Sequence, residues 1–193
     1  ADRERIARGV KTEIKTGTKR ALRALALSLP DGRAKSRARA AIENAPQEFW
    51  KAPSSSAGKY HPADEINEGG LVVHTLRVAM MAQILARYFH FPRPDLLVAA
   101  LIAHDMQKGG RPWKGYAKDH GPLAAAWLKT LDPKPSVDRD EIARSVHEHM
   151  AQWNFPQPNP PTDLARQIIS YADYLASQDM IYVDWQNAAF QGK

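Results

Sequence analysis

The chain has 193 residues, 44% of them hydrophobic and 25% charged, a net charge of +6 and no cysteine. That length suits one domain with its own core, and the longest apolar run, Leu96 to Ala103, is far too short to cross roughly 30 Å of bilayer hydrocarbon. Without cysteine, a disulfide scaffold, a thiolate metal site and a cysteine nucleophile are excluded, which leaves histidine and carboxylates for any metal chemistry. No apolar core follows the first charges, so the N-terminus does not read as a signal peptide and the expected location is cytoplasmic.

The charge is unevenly spread. Residues 1–40 hold twelve Lys/Arg against four Asp/Glu, a balance of +8, while residues 41–193 hold fifteen against seventeen, a balance of −2. A basic segment of this kind gains by counterion release on RNA, DNA or another phosphate-bearing partner, or else forms a solvated helical face.

In chain order, Ile6, Val10, Ile14, Leu22, Leu25, Leu27 and Leu29 lie among basic residues at mostly helical spacing, and Gly17 divides them into two short helices. Pro30 to Gly32 is a turn. A second basic helix, over about 33–45, is alanine-rich and is expected to cover the core rather than build it. Residues 51–70 have loop composition, and a loop that long in a compact domain is usually functional. A long helix follows over 71–89, with Leu71, His74, Val78, Met81 and Leu85 recurring every three or four residues. The next, from Asp95 to about Gln107, is almost wholly apolar and therefore central. Helices are predicted at about 120–131, 138–150 and 162–178, with Asp119 and Asp138 as candidate caps and Pro161 and Thr162 opening the last. No stretch alternates in the manner of a strand, so the fold class is all-α.

Within these helices sit polar residues that surface exposure does not explain. His74 lies on the inward face of its helix, His104 and Asp105 close the most apolar helix, and Asp173 interrupts the apolar stretch from Ile168 to Leu175. Burying two imidazoles and two carboxylates without partners costs several kcal/mol, so they must satisfy one another or a cation. A divalent ion suited to nitrogen and oxygen donors (Mn, Fe, Co, Ni, Zn or Mg) meets that need.

Gly69 to Thr75 around His74, Ala103 to Gly109 around His104-Asp105, and the later Asp173 resemble the defining motifs of the HD-domain metal-dependent phosphohydrolases. The resemblance covers about residues 60–178. It implies a helical bundle in which His74, His104, Asp105 and Asp173 bind a divalent metal. The chain then divides into a basic helical N-terminal appendage, 1–50, and an HD-type hydrolase domain, 51–193. His120 and His149 stand where HD proteins with two metals place further ligands, and in that subset the HD aspartate bridges the ions. His147 competes with His149, since the two point about 200° apart on a helix; Met150 and Trp153 favour His149. Lys59 to Pro62, ahead of Gly69-Gly70, is similar to a branch that includes bacterial exoribonucleases. Those carry a separate nucleic-acid-binding domain, for which this chain has no room.

The resemblance further implies a metal-activated water that attacks phosphorus, in keeping with the fall of a bound water's pKa from about 15.7 to about 7. Lys108, in the pattern His-Asp-x-x-Lys, is the candidate to neutralise non-bridging oxygens beside Asp105; Arg77 and His61 are further candidates for substrate binding. The expected substrate is a nucleotide or oligonucleotide phosphoester. Other readings are an HD-type mixed-valent di-iron oxygenase and a non-catalytic module that binds nucleotides or nucleic acid. Trp113 and Tyr116, in the 109–118 loop, could stack on a base or merely pack.

Overall fold

The computed structural model describes residues 17–55, 61–153, 161–178 and 188–191. All the regular structure among them is helical. Residues 17–28 form α1, followed by α2 (Arg33–Glu43), α3 (Gly70–Tyr88), α4 (Pro94–Ala103), α5 (His120–Leu131), α6 (Val137–Glu148) and α7 (Leu164–Ala176). The first of the two helices expected on either side of Gly17, and Lys59 and Tyr60 of the loop, lie outside the described residues.

α4 is the axis of the bundle. Every residue from Leu96 to Ala103 is buried, and the helix packs against α2, α3 and α6. Each leucine or isoleucine so buried contributes about 1.5–3 kcal/mol, so this helix anchors the apolar shell around the polar centre. Pro94 at its first turn fixes φ where no N–H is needed, and Asp95 meets the positive helix end. α2 lies along α4 with Ala34, Ala38 and Ala41 buried. Small side chains on that face let a strongly basic helix approach closely while Arg33, Lys35 and Arg39 stay partly or fully in water. The basic helices are thus part of one continuous core: Leu22, Leu25 and Leu29, like Ala38 and Ile42, belong to the same cluster as Leu76, Leu101, Val146 and Ile169.

Helix ends differ from expectation in three places. α6 is capped by Ser136, whose hydroxyl accepts from the Arg139 N–H, and α7 by Asp163, whose carboxylate accepts from the Arg166 N–H. Both have the extended backbone that a capping side chain requires, whereas Asp138 already lies inside α6 and Pro161 and Thr162 precede the α7 cap. Asp119 does occupy the cap position of α5, but its side chain makes no capping bond. α4 stops at Ala103, short of Gln107, and the chain turns tightly: Met106 N–H donates to the Ala103 carbonyl and Lys108 N–H to that of Asp105. These turns present His104, Asp105 and Lys108 together. Trp113 then folds back over Gly109, where a Cβ would lie 2.1 Å from its ring, and packs against the core.

Candidate metal centre

Three buried histidines share one device. His104, His120 and His149 direct Nδ1 at the backbone carbonyls of Leu101, Ala117 and Val146, at 2.6, 2.8 and 2.7 Å. A carbonyl can only accept, so in each ring Nδ1 carries the proton and Nε2 is left as a lone pair. His74 directs Nδ1 at a carboxylate instead, 3.2 Å from Glu65 Oε2, and its Nε2, 3.0 Å from Asp173 Oδ1, carries a proton that a bound ion would have to displace. All four Nε2 atoms consequently face the same interior space.

The carboxylates complete two lobes. Around the first, His74 Nε2 is 3.0 Å from Asp173 Oδ1 and 3.9 Å from Asp105 Oδ2, while His104 Nε2 is 3.5 Å from Asp105 Oδ2 and 4.0 Å from Asp173 Oδ1. Around the second, Asp105 Oδ1 is 3.2 Å from His120 Nε2 and 3.8 Å from His149 Nε2. Asp105 therefore turns one oxygen to each lobe. His104 Nε2 and Asp105 Oδ1 are buried yet make no hydrogen bond, an arrangement that costs about 1–3 kcal/mol per atom in a protein interior unless a cation sits between such donors. The Nε2 atoms of His120 and His149 face each other at 3.1 Å, two lone pairs that repel without a proton or a metal. The donor set of imidazole nitrogens and carboxylate oxygens fits a borderline or hard divalent ion. Among the described residues three groups bring three ligand atoms within metal-binding reach: His74–His104–Asp173 and His104–Asp105–His149 at this centre, and His61–Glu65–His74 beside it.

The electrostatics agree with that geometry. Burial, with the charges of His120 and His104, drives His149 down to about 3, and burial lowers His104 too, so both stay neutral. Burial would lower His74, but the Glu65 charge and the Asp173 hydrogen bond prevail and raise it to about 9. Asp105 lies well below the usual carboxylate range: burial opposes this, but Lys108 and the neighbouring histidines outweigh it. Asp173 is lowered in the same way, the His74 hydrogen bond overcoming burial.

Local packing sets these positions. A Cβ on Gly121 of α5 would meet the Val146 and His147 carbonyls at 3.2 and 3.0 Å, so the missing side chain lets the start of α5 press His120 against the end of α6 and His149. His147 is exposed and His149 1% exposed. Arg166, buried on α7, bonds Glu141 of α6 at 2.9 Å and Asp163, tying together the helices that carry His149 and Asp173.

Of the other residues singled out in the sequence, Lys108 bonds Asp105 Oδ2 at 2.6 Å and borders the cavity over the centre. His61 also borders it, with Nδ1 2.8 Å from Glu65 Oε2. Arg77 lies elsewhere: it pairs with Asp64 at 2.8 Å and Glu65 at 3.4 Å and does not line the cavity. The cavity holds about 640 Å³ and is also bordered by Tyr116, Trp153 and Tyr174. Glu65 is the residue that sequence patterning missed. It is 0% exposed, its carbonyl accepts from both N–H and Oγ of Ser54, and its carboxylate joins His61, His74 and Arg77. Burial would raise its pKa, yet the two histidines hold it down at about 2.

A helical bundle with an ordered His, His-Asp, Asp set at its centre defines the class of protein. A model of the HD-domain family matches residues 71–178, more than half the chain, and the chain belongs to that family, a superfamily of metal-dependent hydrolase type. Comparison with curated proteins and with solved structures finds no match. No helix among the described residues is long and apolar enough to cross a membrane.

Proposed function

We propose that the chain is a metal-dependent phosphohydrolase that cleaves a phosphoester of a nucleotide or oligonucleotide. His74, His104, Asp105 and Asp173 would hold one divalent ion, and Asp105, through its other oxygen, would hold a second with His120 and His149. A divalent ion held there supplies a Lewis acid for the phosphoryl group and makes water acidic enough to act as a nucleophile near neutral pH. The observation that carries this reading is the split aim of Asp105, with Oδ2 toward His74 and His104 and Oδ1 toward His120 and His149.

The chain's own groups do the rest. Lys108 fixes the Asp105 carboxylate and places an ammonium at the cavity wall, where it can offset charge on non-bridging oxygens. His61, braced by Glu65, offers its remaining ring nitrogen to the cavity as a partner for a phosphoryl oxygen. Arg77 acts at one remove, by holding Glu65.

The test is hydrolysis by the full chain, loaded with each candidate ion in turn, of a panel of nucleotides and simple phosphodiesters, with and without oxygen. The expected result is turnover in the absence of oxygen that EDTA abolishes and His104→Ala lacks. Activity that needs both iron and oxygen would assign a di-iron oxygenase instead. Salt-sensitive binding of nucleic acid without turnover would leave a binding module.

A further inference from the structure

Two aromatic side chains at the mouth of the cavity do nothing for the core. Trp153 and Tyr174 are 55% and 50% exposed, and their rings lie nearly parallel, 12° apart in plane with centroids separated by 6.0 Å. Each springs from a different lobe of the centre: Trp153 is four residues past His149, and Tyr174 directly follows Asp173. Both border the cavity over the centre, and both also border a second cavity of about 410 Å³, lined further by Gln152, Pro161 and Tyr171. The pair is thus the common wall of two adjoining spaces, and Ser170 borders both as well.

The chemistry of the lining narrows what this wall can hold. Lys108 is the one lysine or arginine among the described residues that border the main cavity. A ligand with several phosphates would find a single such cation, whereas one phosphoryl group at the centre leaves the aromatic wall for a flat, apolar moiety. Parallel rings present rigid π-faces with little conformational entropy to lose, and stacking on such faces tolerates every base. Ser177 and Gln178, also on the lining, each donate to the Tyr174 carbonyl, which leaves the Ser177 hydroxyl oxygen and the Gln178 amide oxygen as acceptors for the polar edge of a ring.

We infer that Trp153 and Tyr174 form a base-stacking platform, which receives the nucleobase next to the phosphoryl group held at the His/Asp centre. The inference rests on the phosphohydrolase reading for the place of the phosphate. The base can belong to a free nucleotide or to the end of a single strand, and the second cavity, with half-exposed Tyr171, lies where a following base of a strand would go.

The test is binding to the metal-loaded chain, read by rapid mixing before turnover, so that the ions expected to anchor the phosphoryl group are present. The probes are a nucleoside 5′-monophosphate against ribose 5-phosphate, and a short single-stranded oligonucleotide against an abasic strand of equal length. At least one base-bearing probe should bind at least about tenfold more tightly than its base-less counterpart, Trp153→Ala should remove that advantage, and Trp153→Phe should keep most of it. An advantage confined to the strand and reduced by Tyr171→Ala assigns the ligand as a strand; an advantage shared by the mononucleotide and insensitive to Tyr171 assigns a free nucleotide. Equal binding with and without the base, no binding of any probe, or an advantage that survives Trp153→Ala overturns the platform. Hydrolysis of the same probes with added metal separates the two claims. Base-dependent binding without cleavage removes the hydrolase reading and keeps the platform, whereas cleavage that ignores the base does the reverse.

Discussion

Glu65 Oε2 lies 3.2 Å from Nδ1 of His74, and this contact joins the loop before α3 to the centre of the bundle. A carboxylate behind a ligating histidine fixes the ring's tautomer and makes its other nitrogen a better donor. Glu65→Ala should lower affinity for a divalent ion by roughly 10- to 100-fold, while Glu65→Gln, whose amide oxygen still accepts from Nδ1, should lose less. Competition with a chromogenic chelator measures both; equal affinity in all three proteins would deny Glu65 this role.

Metal binding should release a proton. Without metal, His74 is held as an imidazolium up to about pH 9, whereas His104 and His149 are already neutral. A ligand must be unprotonated, so below that pH the metal has to displace the His74 proton and affinity should rise about tenfold per pH unit, levelling off above it. Calorimetry at pH 6, where a metal-bound water largely keeps its proton, in buffers of different ionisation enthalpy should report about one proton released per chain. A value near zero would mean that His74 is not a ligand.

Gly70 should not tolerate a side chain. A Cβ there would fall 1.7 Å from the Glu65 carbonyl oxygen and 2.3 Å from its carbon, and backbone atoms cannot swing aside as the end of a side chain can. Gly70→Ala should destabilise by about 3 kcal/mol or more, a drop of roughly 6–12 °C in the midpoint of thermal unfolding for a chain of this size. Because the displaced group is Glu65, metal affinity should fall as well. A stable Gly70→Ala protein with undiminished affinity would contradict the packing described.

The helices and the family were legible because their signals are local. Apolar periodicity marks α3, and an unbroken apolar run marks α4; His74, His104 and Asp105 stand out as polar interruptions of those patterns, as Asp173 does in α7, which a lone surface histidine would not produce. The order and spacing of these residues carried the resemblance that the family match bears out over residues 71–178. Glu65 was invisible for the opposite reason. It lies in a stretch of loop composition, where an acidic residue is unremarkable, and its burial comes from contacts with Ser54, His61 and Gly70 that only the folded chain creates. Arg77 shows the complementary limit: spacing put it near His74, but not whether its guanidinium would turn to the cavity or to Asp64 and Glu65. The caps at Ser136 and Asp163 lie one or two residues from the positions expected, since helix ends depend on which backbone groups remain unpaired.

The most direct test of the account is the metal content of the chain after reconstitution and removal of excess ion, measured per chain for the wild type and for His149→Ala. The account predicts two divalent ions per wild-type chain and one in the variant, since the lobe of His74, His104, Asp105 and Asp173 survives that change. A wild-type chain that retains fewer than two ions, or a His149→Ala chain that retains as many as the wild type, would contradict it.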